Sequence, residues 1–362
     1  MQNVFVHPSG QDDNLGDSSL RAALLHALRG EDRRLHLLLE EQSSDYHAGM
    51  PLADEMVRYS ARQSWMKAIR QHRGSIYVMN AGEIDPNPEI PYPNARRVAE
   101  ARGVLGRGGA VIAAGLGVKD PTSAARVAFD GVLRDAALVS WRDFPSRDAA
   151  GFGDVAPDWA FALGSETSSW VPHADRRLLA VTLRFDRPWP DDRWLRAVRD
   201  LADRTETSIV TLAQVARDSP RAVRLADALG GQYCVAPSTR HDHVDRHVRS
   251  VYAQSLAVVS DRAHALIIGA TEGAYPIGSA VAPQKIRRLL DVVGLGGLTG
   301  DHDGFAERAV YLDSVLQSTA AQVDAGRTDL RVLAGRMREL MRAVDGRSGD
   351  SLRELSSAAA RA

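Results

Sequence analysis

Residues 260–285 read SDRAHALIIGATEGAYPIGSAVAPQK and bring Arg262, His264 and Lys285 into one segment. Arg offers a planar fork for carboxylate or phosphate, Lys a compact point charge, and His a proton carrier near neutral pH. Together they suit an anionic small molecule and a proton transfer. Lysine is scarce here: of 45 Lys plus Arg, only Lys67, Lys119 and Lys285 are lysines. Arginine is therefore the ordinary surface cation, and a lysine inside this segment stands out.

Other candidates lie upstream. In Asn14-Leu15-Gly16-Asp17, Gly16 lets backbone approach a ligand and helix N-terminal amides favour anions. Asp17 is placed to accept a hydroxyl proton; the plain alternative is an N-cap or first-turn acid. In residues 140–146, SWRDFPS, Arg142 falls at a strand's carboxyl end. It reads as an anion fork or as half of a surface pair with Asp143, and Ser146 reads as the cap of the next helix. Arg184 ends the first strand of the second half and is a further anion contact or a surface arginine. Asp158, in residues 156–161 (APDWAF), reads as a turn former. Asn80-Ala81-Gly82-Glu83 and Gly115-Leu116-Gly117 place turn glycines toward a cleft. His241, His243 and His247 carry a metal-like spacing, but with Asp242 and Asp245 they read as a solvated face, and no metal is assigned. No G-x-G-x-x-G or Walker A pattern is present, which disfavours NAD enzymes and P-loop NTPases.

The elements that must position these residues alternate. Strand patterns at 3–7, 35–39, 75–80, 110–115 and 137–141 interleave with helical patterns at 17–28, 54–72, 94–105 and 122–134, while the proline-rich stretch 85–93 must be loop. Residues 164–175 are polar and aperiodic and read as a linker. The pattern then restarts, with strands at 178–184, 208–212, 232–236, 257–260 and 275–278 and helices at 191–204, 219–229, 243–254, 262–272 and 283–292. Short buried strands separated by helices predict parallel sheets with crossover helices, hence two doubly wound α/β domains facing a cleft. The expected domains are 1–165 and 176–300, followed by helices at 301–346 and a disordered tail at 347–362.

Composition narrows the class. The 362 residues carry a net charge of −1, which gives no global field for nucleic acid. Cys234 alone excludes an internal disulfide framework and a Cys-rich zinc site, and favours a reducing compartment. The opening residues lack a signal-peptide pattern and no apolar run approaches a membrane span, so a cytoplasmic protein is expected.

The order NLGD, WRDFPS, PDWAF, DRAHALIIGATEGAYPIG and APQK resembles the polysaccharide pyruvyl transferase family, over roughly residues 1–295. The resemblance implies a GT-B-like α/β fold of two Rossmann-like domains, with the acceptor on the N-terminal side and the donor on the C-terminal side. It implies transfer of pyruvate from phosphoenolpyruvate to a sugar of a cell-surface polysaccharide, glycolipid or lipid-linked precursor, forming a ketal. On that basis His264 and Asp17 are expected to move protons. Arg142, Arg262, Lys285 and Arg184 are expected to hold the donor, with Asn14 and Gly16 beside the substrate. No metal or cofactor is expected beyond phosphoenolpyruvate as co-substrate, and a contact at the inner face of the membrane is left open. Two alternatives are a GT-B glycosyltransferase using a nucleotide sugar and a catalytically silent glycan-binding relative. Acceptor identity and oligomeric state are not legible.

Overall fold

The computed structural model describes residues 1–345 except 41, 86, 88 and 122–128. The first sheet comprises β1 (Gln2–Val6), β2 (Arg33–Leu38), β3 (Val57–Tyr59), β4 (Ile76–Met79), β5 (Gly82–Ile84), β6 (Ala110–Val118), β7 (Leu138–Trp141) and β8 (Asp154–Val155). Its order is β3-β2-β1-β4-β6-β7-β8, with β5 also on β6. The second comprises β9 (Leu178–Thr182), β10 (Ser208–Thr211), β11 (Gln232–Tyr233), β12 (Ser255–Ser260) and β13 (Tyr275–Gly278), in the order β11-β10-β9-β12-β13. Every pairing in both sheets is parallel.

The sequence accounts for this. Each residue of β4, β6 and β12 is buried, so these strands read as continuous apolar or small-residue runs rather than alternating ones, as sheets covered on both faces require. Helix Asp192–Arg204 supplies one such cover. Asp191 caps it, its carboxylate accepting the Trp194 amide at 2.8 Å, and Trp194, Leu195, Val198, Leu201 and Ala202 turn inward at helical spacing. Strand order reverses between β1 and β4 and again between β9 and β12. These reversals open crevices at the carboxyl ends of the strands, where ligands bind in such sheets.

Three expectations need correction. Residues 54–72 are not one helix: Val57–Tyr59 is an edge strand on β2, and the helix begins at Arg62. Val57 and Tyr59 suit a pleated edge, and the Tyr59 hydroxyl lies 2.8 Å from His36 Nδ1, which fixes that register. The first helix starts at Leu15, not Asp17, because Asn14 caps it, its Oδ1 accepting the Gly16 amide at 3.1 Å. β6 continues to Val118, so Gly115 and Gly117 lie within a strand instead of a turn. The short helix Ser44–Ala48 and strand β5 were not foreseen. Of the helix expected at 122–134, residues 122–128 lie outside the described residues and Gly131–Arg134 is helical. The expected tail at 347–362 is also outside them.

The C-terminal helices return to the first half. Thr319–Asp345 spans 27 residues and packs on helix Leu15–Leu28 and β1. The buried guanidinium of Arg327 donates to the carbonyls of Phe161 (3.3 Å), Leu163 (2.8 Å) and Ser165 (3.0 Å). Arg336 pairs with Asp154 at 2.7 Å. Among the described residues no helix is long and apolar enough to cross a membrane.

Candidate anion site at the facing strand ends

Arg142 directly follows β7 and is 2% exposed. Its amide donates to Leu116 O at 2.7 Å, which locks the backbone against β6. A Cβ on Gly117 would stand 2.6 Å from Arg142 Nε, so a side chain there would displace the arginine from its present position. Asp143 caps helix Phe144–Ala150, accepting the Ser146 amide at 2.8 Å, and Ser146 Oγ accepts the Val118 amide at 2.8 Å. Ser146 is thus not the cap, and no surface Arg142–Asp143 pair exists: Asp143 is fully buried.

The partner of Arg142 is Asp158. Arg142 Nη1 lies 3.1 Å from Asp158 Oδ2, and His264 Nε2 lies 3.5 Å from the same oxygen. Asp158 is fully buried, and its Oδ1 accepts the Ala160 amide at 3.0 Å, starting the 3-10 turn Trp159–Ala162. It is therefore both the turn former expected and the counter-ion of two candidate residues. Burial alone would raise its pKa. His264, Arg142 and the Ala160 amide more than offset that and hold the carboxyl well below the usual aspartate range. His264 sits in the first turn of helix Ala263–Ala270, directly after β12. From the other half, Gly16 in helix Leu15–Leu28 lies against its imidazole so closely that any Cβ would overlap the ring.

A second cluster adjoins this one. Glu83 on β5 accepts from Lys285 Nζ at 2.7 Å and lies 3.4 Å from Arg288 Nη2 and 3.7 Å from Arg142 Nη2. Lys285 and Arg288 project from helix Gln284–Asp291, which follows β13. Arg288 Nε is 3.7 Å from Asp143 Oδ2. Desolvation favours neutral Glu83, yet Lys285, Arg142 and Arg288 prevail and lower its pKa. Lys285 is crowded by protein on its inner side; that desolvation, ahead of repulsion from Arg142 and Arg288, lowers its pKa despite Glu83. Five buried polar atoms here lack any hydrogen-bond partner: Arg142 Nε, Arg288 Nε, Arg288 Nη1, His264 Nε2 and Asp143 Oδ2. Unmet buried donors are costly, and most of these belong to cationic or protonatable groups.

Other expected residues are engaged elsewhere. The Arg262 guanidinium forks onto buried Asp218, with Nη2 2.7 Å from Oδ1 and Nε bonded to Oδ2, and Asp218 also accepts the Phe185 amide at 2.9 Å. With its fork closed on a carboxylate, Arg262 organises the strand end instead of facing a ligand. Arg184 pairs with Asp186 at 2.9 and 2.7 Å, and its amide donates to Asp261 at 2.8 Å. Burial pushes Asp261 up to about 6. Asp17 accepts the Gln11 amide at 2.8 Å and lies 3.7 Å from Arg21, so it braces its own loop, one residue from the Gly16–His264 contact. Asn14 caps its helix beside the junction, where Leu15 N donates to Gln214 O at 3.1 Å.

The structure thus brings together His264, Gly16, Arg142 and Lys285, and keeps Arg262 and Arg184 apart in pairs of their own. Sequence reasoning missed Arg288, although it stands three residues after Lys285 on the same helix face. Glu83 and Asp158 were noted only as turn residues. His241, His243 and His247 bond separately to Ser18 (2.7 Å), Ser238 (2.9 Å) and the Cys234 carbonyl (3.3 Å), and no metal-competent group of three acids, His or Cys occurs among the described residues. A cavity of about 690 Å³ lined by Arg29, Arg33, Leu35 and Glu55 lies well away, where β2 begins, so chemistry and not depth marks the site.

The model of the polysaccharide pyruvyl transferase family matches residues 14–280. Among curated proteins no sequence matches the chain. Among solved structures, Anabaena HepE in complex with UDP and glucose is similar at 11% identity and TM-score 0.51, covering 95% of this chain and 100% of that one. Glycyrrhiza uralensis UGT73P12, complexed with glycyrrhetinic acid 3-O-monoglucuronide, is similar at 10% identity and TM-score 0.50, covering 100% and 99%. The accessory secretory protein 1, 2 and 3 structure from Streptococcus pneumoniae is similar at 11% identity and TM-score 0.50; the match takes in 78% of this chain but 56% of that one. At these identities the likeness speaks for the fold, which is GT-B-like, with two parallel α/β sheets and C-terminal helices.

Proposed function

The chain belongs to the polysaccharide pyruvyl transferase family, and on that premise we propose that it moves a pyruvyl group from phosphoenolpyruvate onto two hydroxyls of a glycan or lipid-linked sugar in the cytoplasm. The observation that carries this reading is the set of buried guanidinium donors without a hydrogen bond on Arg142 and Arg288, beside Lys285 and the Asp158-paired His264. A small ligand bearing both carboxylate and phosphate supplies the acceptors these groups lack. In the reaction the donor's C2–O bond to phosphate breaks and two C2–O bonds form to the acceptor. Of the two hydroxyl protons released, one ends on the methylene, making it methyl, and one on phosphate. His264, held by Asp158, delivers the proton to the methylene or to the leaving group. Arg142, Arg288 and Lys285 hold the charge that builds on the departing phosphate. Asp17, one residue from the Gly16–His264 contact, is the proposed acceptor of the first hydroxyl proton.

Titration calorimetry tests the donor. Phosphoenolpyruvate is expected to bind the wild-type chain, with UDP-glucose binding far more weakly, and Arg288→Ala is expected to weaken phosphoenolpyruvate by about tenfold to a hundredfold. Tight UDP-glucose binding with no response to phosphoenolpyruvate would assign the cleft to a nucleotide sugar instead.

A further inference from the structure

Glu83 pairs with Lys285, and it reaches that lysine from the other sheet. Its Oε2 takes the Lys285 ammonium at 2.7 Å, while Oε1 sits between Arg288 Nη2 at 3.4 Å and Arg142 Nη2 at 3.7 Å. Both guanidinium distances exceed the ~2.7–2.9 Å of a well-formed charge-assisted bond. Arg142 Nε and Arg288 Nη1 have no hydrogen-bond partner even with Glu83 in place, and Arg288 Nε meets only Asp143 Oδ2, at 3.7 Å. The carboxylate therefore serves the ammonium and only loosely serves the two forks. Three cations converge on one glutamate whose own backbone sits on β5, at the edge of the first sheet, while Lys285 and Arg288 follow β13 of the second.

We propose that Glu83 stands in for a ligand carboxylate, and that Lys285, Arg288 and Arg142 form a carboxylate subsite from which the incoming donor displaces it. This rests on the donor reading given above. In the free protein Glu83 offsets the mutual repulsion of three neighbouring cations, which keeps them in place. It also competes with the ligand, because the apparent affinity is the intrinsic one scaled by the fraction of molecules in which the subsite is vacated. A ligand that meets both forks at closer range wins that competition. The same displacement removes a tie between the two sheets, so donor entry and the fit of the two halves become linked.

Glu83→Gln keeps the side chain's size and removes its charge, and Glu83→Asp keeps the charge but withdraws it by one methylene. Calorimetry with three probes separates the possibilities: phosphoenolpyruvate, pyruvate as carboxylate alone, and inorganic phosphate. Pyruvate and phosphoenolpyruvate are expected to bind Glu83→Gln about tenfold more tightly than wild type, with Glu83→Asp between them and phosphate little changed. Should Glu83→Gln fail to fold, the Glu83→Asp comparison carries the test alone. Unchanged or weaker pyruvate binding in the variants overturns the proposal, as does equal tightening of phosphate, which would show a general charge effect. If phosphoenolpyruvate binds neither wild type nor variants, the donor reading falls and this inference with it. If it binds wild type while pyruvate affinity does not move, only the stand-in role falls.

Discussion

Asp158 is the residue on which the two clusters turn. It binds Arg142 and His264 through one oxygen and starts the Trp159–Ala162 turn through the other. Asp158→Asn keeps the shape and removes the charge, leaving Arg142 buried without its nearer counter-ion. Breaking a buried pair this way costs about 3–5 kcal/mol. The pH dependence has a definite sign. Because the folded pKa is depressed, the ionised carboxylate contributes stability above the ordinary aspartate pKa of ~3.9, and that stability is lost as pH falls through and below this value. Melting curves are expected to show a full gap between wild type and Asp158→Asn near neutrality, shrinking in acid. A constant gap would remove Asp158 from this role. By contrast, Arg262 attracted attention as a cation beside His264, yet it is closed on Asp218. Residue type and spacing mark which cations exist; they do not reveal which already own a partner. Asp218 lies 44 positions away in the chain, beyond any local pattern.

At the scale of elements, the turn that Asp158 starts packs against a helix far along the chain. The helix Thr319–Asp345 clamps the Asp158 turn through Arg327, which donates to Phe161, Leu163 and Ser165 carbonyls. Arg327→Ala leaves those acceptors without their charged donor and is expected to cost about 2–4 kcal/mol. Denaturant midpoints measure this. Turnover is expected to fall with stability, because the turn carrying Asp158 loosens; an unchanged midpoint would show that the helix is only an appendage. The alternation of short strands and helices was legible because parallel strands buried on both faces have a characteristic unbroken apolar pattern, as in Ala110–Val118. Edge elements were not, since Val57–Tyr59 and Gly82–Ile84 are too short to show a period and exist through their pairing with β2 and β6. The second of these carries Glu83, so the least legible strand holds one of the more telling side chains.

For the whole molecule, the two sheets meet with their strand ends facing. His264 from one half lies against Gly16 of the other half, and Lys285 and Arg288 reach across to Glu83. Neither half holds a complete set: Arg142 and Asp158 come from the first, His264, Lys285 and Arg288 from the second. In the proposed reaction the donor contacts residues of both halves, Arg142 from the first and His264, Lys285 and Arg288 from the second. The most direct test follows phosphoenolpyruvate by phosphorus and proton NMR in the presence of a panel of lipid-linked sugars. Wild type is expected to release inorganic phosphate in step with a new ketal methyl signal for at least one acceptor, and His264→Ala, folded and still binding the donor, is expected to release none. Phosphate release and ketal formation by His264→Ala at the wild-type rate would contradict the account.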